Sequence, residues 1–324
     1  MHSPPPRHPH SSKLPVQVEI MARMFTEEEI KQITNNFRND LGGGSFGHVY
    51  QGQLSDGRLV AVKRIKIQGK NDDSKWRHEK LMLETFSEHR YFIQYMGYGV
   101  NKLGTEGYLV MQWLSMSLRD IVNFEDEVTE LRHLTEVLAQ IANAMDHIHQ
   151  TKFGTDRSTY VYGDMKPDNV MLQKTNEGYQ VKLIDLGSIS KAGDQNFTYT
   201  NGYAAPEIFR GSRLSVKTDV YCLGMIMIDL FTRESTTNKE RAAEENRAKK
   251  DKSKNRDAAN EKLIKAQYMM HQHDHMFSKW FKVRSRADLE SMKAISDIAL
   301  DCTKRAGDQR PDMTEVERRL RELR

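Results

Sequence analysis

Asp164, Asn169 and Asp185 are the side chains whose types and spacing point most directly to chemistry. The first two stand in Tyr162-Gly163-Asp164-Met165-Lys166-Pro167-Asp168-Asn169, and Asp185 opens Asp185-Leu186-Gly187, sixteen residues after Asn169. A carboxylate in the place of Asp164 can accept the proton of an incoming hydroxyl, a role worth about 10²–10⁴ in rate. Asn169 and Asp185 offer hard oxygen ligands for Mg2+, which bridges phosphates and offsets the charge gathered there. Lys166, two residues past Asp164, can neutralise a γ-phosphoryl group in transit. The set suits transfer of a phosphoryl group from ATP to a hydroxyl.

Such a reaction needs a cradle for the nucleotide. Gly42-Gly43-Gly44-Ser45-Phe46-Gly47-His48-Val49 fits G-x-G-x-x-G-x-V, with Gly42, Gly44, Gly47 and Val49 at the defining positions. Backbone N–H groups can close over phosphates where side chains are missing. Taken alone, the run also suits a plain flexible loop. A dinucleotide-binding fold would place a strand before the glycines and a helix after them. Here they lead into Val49-Tyr50 and a hairpin signalled by Ser55-Asp56-Gly57. No Gly-Lys-Ser/Thr closes a Walker A loop either. A glycine-rich hairpin lid over a nucleotide remains. Lys63 ends Val60-Ala61-Val62-Lys63, where strand alternation turns its ammonium away from its apolar neighbours and makes it a point charge for the α- and β-phosphates. It needs a carboxylate partner on a helix. Glu79 is the choice, because Leu83 lies one turn on; Glu84, about half a turn away, is the runner-up.

These side chains must be positioned by two kinds of structure. Thr26 with Glu29 forms a capping box that predicts a helix, and short β-type runs follow from Leu41 to Ile67. A helix is predicted over 75–88, and strands over 91–100 and 107–114. Beyond Leu114, Leu131, Leu134, Leu138, Ile141, Ala142, Met145 and Ile148 recur at helical spacing and predict one long buried face. Two short β-like runs, 170–172 and 181–184, precede an apolar helix over about 217–231 and amphipathic helices near 287–303 and 312–323. Residues 238–262 are almost wholly charged, polar or alanine and read as a solvated insertion.

The composition is that of a globular protein, with 38% hydrophobic and 29% charged residues. A net charge of +4 makes no case for nucleic acid. Two cysteines give no disulfide framework and fit a reducing, cytoplasmic setting. No apolar run approaches the roughly 18 residues of a membrane span. His271, His273, Asp274 and His275 make a poor metal set without cysteines or a second cluster. The expected organisation is a disordered tail over 1–24, a small β-rich lobe with a preceding helix over 25–112, and a larger helical lobe over 113–324 carrying the insertion.

These motifs, in this order from about residue 38 onward, resemble the eukaryotic protein kinases, which implies an α+β, bilobal fold. The resemblance implies that Met111 is the gatekeeper, that Gln112, Trp113 and Leu114 form the hinge beside adenine, and that Ala61 lies against the same site. Ala205-Pro206-Glu207 is similar to the end of an activation segment, with Arg310 as partner of Glu207 and Asp219 as holder of the catalytic-loop backbone. Thr198 and Thr200 fall in that segment, and Thr200 stands where serine/threonine kinases keep a threonine near the catalytic Asp and Lys. Phe25-Thr26-Glu27-Glu28-Glu29-Ile30 and Thr200-Asn201-Gly202-Tyr203 resemble the Pelle, interleukin-1-receptor-associated and plant receptor-like kinases. The implied partners are ATP, Mg2+ and a protein substrate, with room for an upstream adaptor or receptor.

The chain departs from the family at Tyr162-Gly163, where His-Arg is usual, and at Leu186, where phenylalanine is usual. Tyr162 is read as a packing residue. Gly163 removes the arginine that pairs with a phosphorylated activation loop. A nucleotide-binding scaffold without catalysis is the main alternative, yet Lys63, Asp164, Asn169 and Asp185 are all retained. A small-molecule kinase is disfavoured by Ala205-Pro206-Glu207.

Overall fold

Alternation along one strand organises the first lobe. In the computed structural model, which describes residues 22–44, 47–67, 74–123, 130–152, 157–232 and 285–323, the chain begins with β1 (Arg23–Phe25) and α1 (Glu27–Ile33). Then come β2 (Asp40–Gly44), β3 (Gly47–Gln53), β4 (Leu59–Lys66), α2 (Ser74–Phe86), β5 (Tyr95–Val100) and β6 (Glu106–Gln112). The six strands form one sheet in the order β1-β5-β6-β4-β3-β2, antiparallel except for the parallel pair β1 and β5. On β4, Val60 and Val62 face a small core with Phe25, Ile30, Met96, Tyr108 and Val110, which α1 covers. Ile65, on the opposite face with Lys63, joins the main core. The predicted capping box holds α1: Thr26 Oγ1 accepts from Glu29 N at 3.2 Å, and Glu29 Oε2 accepts from Thr26 N at 2.7 Å.

The second lobe runs through β7 (Met116–Ser117), α3 (Leu118–Val122), α4 (Leu131–Gln150) and β8 (Tyr160–Val161). It continues with β9 (Val170–Thr175), β10 (Gly178–Leu183), β11 (Ser190–Lys191), α5 (Val216–Thr232), α6 (Arg286–Cys302) and α7 (Met313–Arg321). Helix α4 buries Leu131, Leu134, Leu138, Ile141, Ala142, Met145 and Ile148, the periodic set read from the sequence. One hydrophobic core extends from Leu83 and Phe86 of α2 through α4 into α5. The lobes also join through backbone: Ile93 N donates to Leu183 O at 3.0 Å, and Leu183 N donates to Tyr91 O at 2.8 Å.

Arg23 and Met24, which fall within the expected 1–24 tail, pair with Gly97 and Tyr98 as part of β1. Residues 1–21, the insertion over 238–262, and His271, His273, Asp274 and His275 lie outside the described residues. Among the described residues, no helix is long and apolar enough to cross a membrane.

Candidate active site

Lys63 is carried into the cleft by β4, where it pairs across the sheet with Val49 on one side and Leu109 on the other. Its Nζ donates to Glu79 Oε1 at 2.7 Å and to Asp185 Oδ1 at 2.8 Å. Glu79 is 2% exposed. Glu84 instead faces outward and pairs with Lys80 one turn back at 2.6 Å. Burial alone would lower the affinity of the Lys63 amine for its proton, and the carboxylates of Glu79 and Asp185 more than reverse this, so the ammonium is held firmly charged. The glycine of Asp185-Leu186-Gly187 permits this geometry: a Cβ on Gly187 would stand 2.9 Å from Glu79 Oε2. His78, one residue before Glu79, bonds through Nε2 to Ile189 O at 2.7 Å and so ties α2 to the segment after Asp185.

The loop between β8 and β9 carries Asp164, Lys166 and Asn169. Its backbone hangs on Asp219 at the start of α5, which is fully buried. Asp219 accepts from Tyr162 N at 2.8 Å and Gly163 N at 3.0 Å, and its Oδ2 lies 2.8 Å from His149 Nε2. His149 was not singled out in the sequence; its sign would have been a polar residue adjoining the buried stripe of α4. Tyr162 is fully buried and its hydroxyl donates to Ile184 O, so it packs as an aromatic with a satisfied polar tip. Burial pushes the Tyr162 phenol well up, helped by the carboxylates of Asp185, Asp164 and Asp219. Gly163 adopts φ +87°.

Lys166 Nζ donates to Asp164 Oδ2 at 2.8 Å and to Thr200 Oγ1 at 2.9 Å. Asp164 Oδ1 is shielded from solvent and has no hydrogen-bond partner among the described residues. Asn169 uses its amide nitrogen on Asp164 O at 2.8 Å, which leaves its carbonyl oxygen as the atom to offer a cation. Ile184 N donates to Asn169 O at 3.0 Å, so the backbones bearing Asn169 and Asp185 run side by side. The oxygen pair suits a hard divalent ion.

The nucleotide side is built by the sheet. Gly42 and Gly44 lie on β2 and Gly47 opens β3, forming an antiparallel hairpin. Ala61 pairs with Met111 of β6, which is 7% exposed, and Gln112 follows it at the strand end. Trp113 and Leu114 lead out of the sheet toward the second lobe, with Leu114 packed against the main core. Glu207 is bound by Arg310 through two parallel bonds, 2.7 Å to Oε1 and 2.8 Å to Oε2. Thr198 is exposed and lines a cavity of about 540 Å³ with Lys75, His78 and Phe197. Arg119, Tyr203 and Asp229 also bond to one another below the loop, a cluster that sequence reasoning missed because no local pattern joins them.

Residues 36–319 match the protein kinase domain. Wall-associated receptor kinase-like 4 of Arabidopsis thaliana is 29% identical over 321 residues, covering 94% of this chain and 38% of that protein. From the same organism, Probable serine/threonine-protein kinase PBL21 is 32% identical over 65% of this chain and 56% of its own length. Receptor-like kinase TMK4 is 30% identical over 63% of this chain and 23% of its own length. The chain thus spans between 23% and 56% of the length of these relatives. With a domain match over most of its length, the chain belongs to the protein kinase family, and within it is similar to the plant receptor-like kinases.

Proposed function

We propose that the chain is a serine/threonine protein kinase that transfers the γ-phosphoryl group of ATP to hydroxyls of a protein substrate. The observation that carries this reading is the divided state of Asp164. Its Oδ2 is anchored by Lys166, while its buried Oδ1 accepts nothing among the described residues. An unpaired buried acceptor costs about 1–3 kcal/mol, and a proton-accepting role explains its retention.

ATP would supply the phosphoryl group, and Asn169 and Asp185 would hold Mg2+, which when bound would supply charge stabilisation. Lys63, steadied by Glu79, binds the α- and β-phosphates. Backbone N–H groups near Gly42, Gly44 and Gly47 close over the phosphates. Val49, Ala61, Met111, Gln112, Trp113 and Leu114 enclose the base. Asp164 takes the substrate hydroxyl proton at Oδ1 and orients the attacking oxygen. Lys166 offsets charge on the transferring group. Its bond to Thr200 fits aliphatic hydroxyls, since it sets the substrate segment close to Asp164.

Gly163 offers no guanidinium to a phosphate on the activation segment. Activity then depends less on phosphorylation of Thr198 or Thr200 than in kinases that keep the arginine. The same reading assigns the domain to intracellular signalling in the cytoplasm, downstream of an adaptor or receptor. The test is Mg2+·ATP-dependent labelling of a generic protein substrate, followed by phosphoamino-acid analysis. Phosphoserine or phosphothreonine supports the proposal. A thermal shift with Mg2+·ATP but no transfer would instead indicate a nucleotide-binding scaffold.

A further inference from the structure

Arg119 stands on α3, far from the motifs that suggest phosphoryl transfer, yet its guanidinium joins two loops of the site. Its Nε lies 3.3 and 3.2 Å from the two carboxylate oxygens of Asp168, and its Nη2 donates to Asp168 Oδ2 at 2.8 Å. The same Nη2 donates to Tyr203 Oη at 2.7 Å. The Tyr203 hydroxyl in turn donates to Asp229 Oδ2 on α5. Asp229 is fully buried, with the Arg119 Nη1 3.9 Å from its Oδ2. Arg119 itself is 7% exposed.

A buried guanidinium between two carboxylates is a costly arrangement unless its geometry is well satisfied, and an apolar filling would serve packing alone at least as well. What the arginine adds is reach and a planar fork, which lets one side chain bond two groups at a fixed angle. The two groups are informative. Asp168 lies between Lys166 and Asn169 in the loop that bears Asp164. Tyr203 lies in the segment after Thr200, and the turn there is closed by Tyr203 N and Ala204 N, each donating to Thr200 O at 3.2 Å. This turn is therefore held to the Asp164 loop at two points. One is the bond from Lys166 to Thr200, and the other is the bridge from Asp168 through Arg119 to Tyr203.

We infer that Arg119 is a positioning residue for the protein substrate, fixing residues 200–207 at a set distance and angle from Asp164. The inference rests on the reading of Asp164 as the base and adds the part of the molecule that presents a hydroxyl to it. The bonds of Arg119 run to Asp168 and Tyr203, whereas those of Lys63 run to Glu79 and Asp185 and that of the Asn169 amide to Asp164 O. A fault in the bridge thus falls on the protein substrate and spares ATP.

The experiment compares wild type with Arg119→Lys, Tyr203→Phe and the double variant, using one serine/threonine peptide and varying peptide and ATP separately. Arg119→Lys keeps the charge but loses the fork. The expected result is a rise of about tenfold in KM for peptide, with kcat and KM for ATP within about twofold of wild type. Tyr203→Phe moves the same constant, and the double variant is no worse than Arg119→Lys, since both break one bridge. An unchanged peptide KM in a folded Arg119→Lys, or losses spread equally over peptide KM, kcat and ATP KM, would overturn the inference. A wild type that transfers no phosphate would refute the underlying kinase reading instead. In that event, hydrogen exchange over residues 200–204 decides: faster exchange in Arg119→Lys supports the bridge, and unchanged exchange overturns it.

Discussion

Glu79→Gln keeps the shape of the side chain in the cleft and removes its charge. Lys63 then retains one of its two carboxylates, Asp185, at 2.8 Å. Breaking a buried ion pair by removing one partner typically costs 3–5 kcal/mol, because a bare charge is left behind. Here the ammonium is not bare, so about half of that, ~2 kcal/mol, is expected in folding free energy. The effect on turnover follows from where Lys63 goes. Drawn toward Asp185 alone, it leaves the phosphate position and competes for the oxygen that a metal needs. A misplacement worth ~2 kcal/mol in the transition state lowers the rate roughly 30-fold. The assay is kcat/KM for ATP, beside urea unfolding of the same preparations. Glu84→Gln is the internal control, because Glu84 pairs with Lys80 on the helix surface, an i,i+4 contact worth about 0.3–0.5 kcal/mol. The reasoning is refuted if Glu79→Gln turns over like wild type, or if the two variants fall together.

Three further outcomes are expected. Gly163→Ala places a Cβ 3.1 Å from Ser188 O at φ +87°, on backbone already bonded to Asp219, and should destabilise by about 1–2 kcal/mol; an unchanged urea midpoint would contradict this. Arg310→Leu removes a fork buried at 2% exposure and strands Glu207 and the carbonyls of Lys304 and Lys217, for a loss of roughly 3–5 kcal/mol by denaturant titration, whereas a change under about 1 kcal/mol would show the pair to be ornamental. His89 and His147 stack with centroids 4.2 Å apart, and burial, then His147, Arg90 and Lys182, push the His89 pKa down to about 4 from 6.5. Between those values the unfolded chain binds a proton that the folded chain refuses, so stability falls as pH drops from 6.5 toward 4 and levels off below it. His147→Phe keeps a ring on His89 and removes one of its charged neighbours at acid pH. The loss between pH 7 and 5 should then be shallower than in wild type, and an equal slope would contradict that account.

Much of the site could be read from local rules. Period-two alternation turned Lys63 toward the cleft, and helical spacing to Leu83 favoured Glu79 over Glu84; both carboxylates lie where that geometry puts them. The capping box at Thr26 and the buried stripe of α4 are likewise consequences of a few neighbouring residues. What escaped reading depends on partners distant in the chain. β1 has three residues and exists through the edge of β5, about seventy positions away. Arg119 is an ordinary arginine in a short, mainly apolar helix until Asp168, Tyr203 and Asp229 are brought around it by separate elements. His149 has the same character: its place beside the buried stripe of α4 is a weak sign, and its meaning comes from Asp219.

The most direct test of the kinase reading is a single comparison of wild type with Asp164→Asn at saturating Mg2+·ATP and fixed protein substrate, with ATP affinity measured on both. The substitution keeps the shape of the side chain and removes the basic oxygen. The account predicts that phosphate transfer falls by at least about 10² while ATP affinity stays within a few-fold of wild type. Transfer that persists at the wild-type rate in Asp164→Asn would show that the proton is taken elsewhere and would contradict the central role given to Asp164.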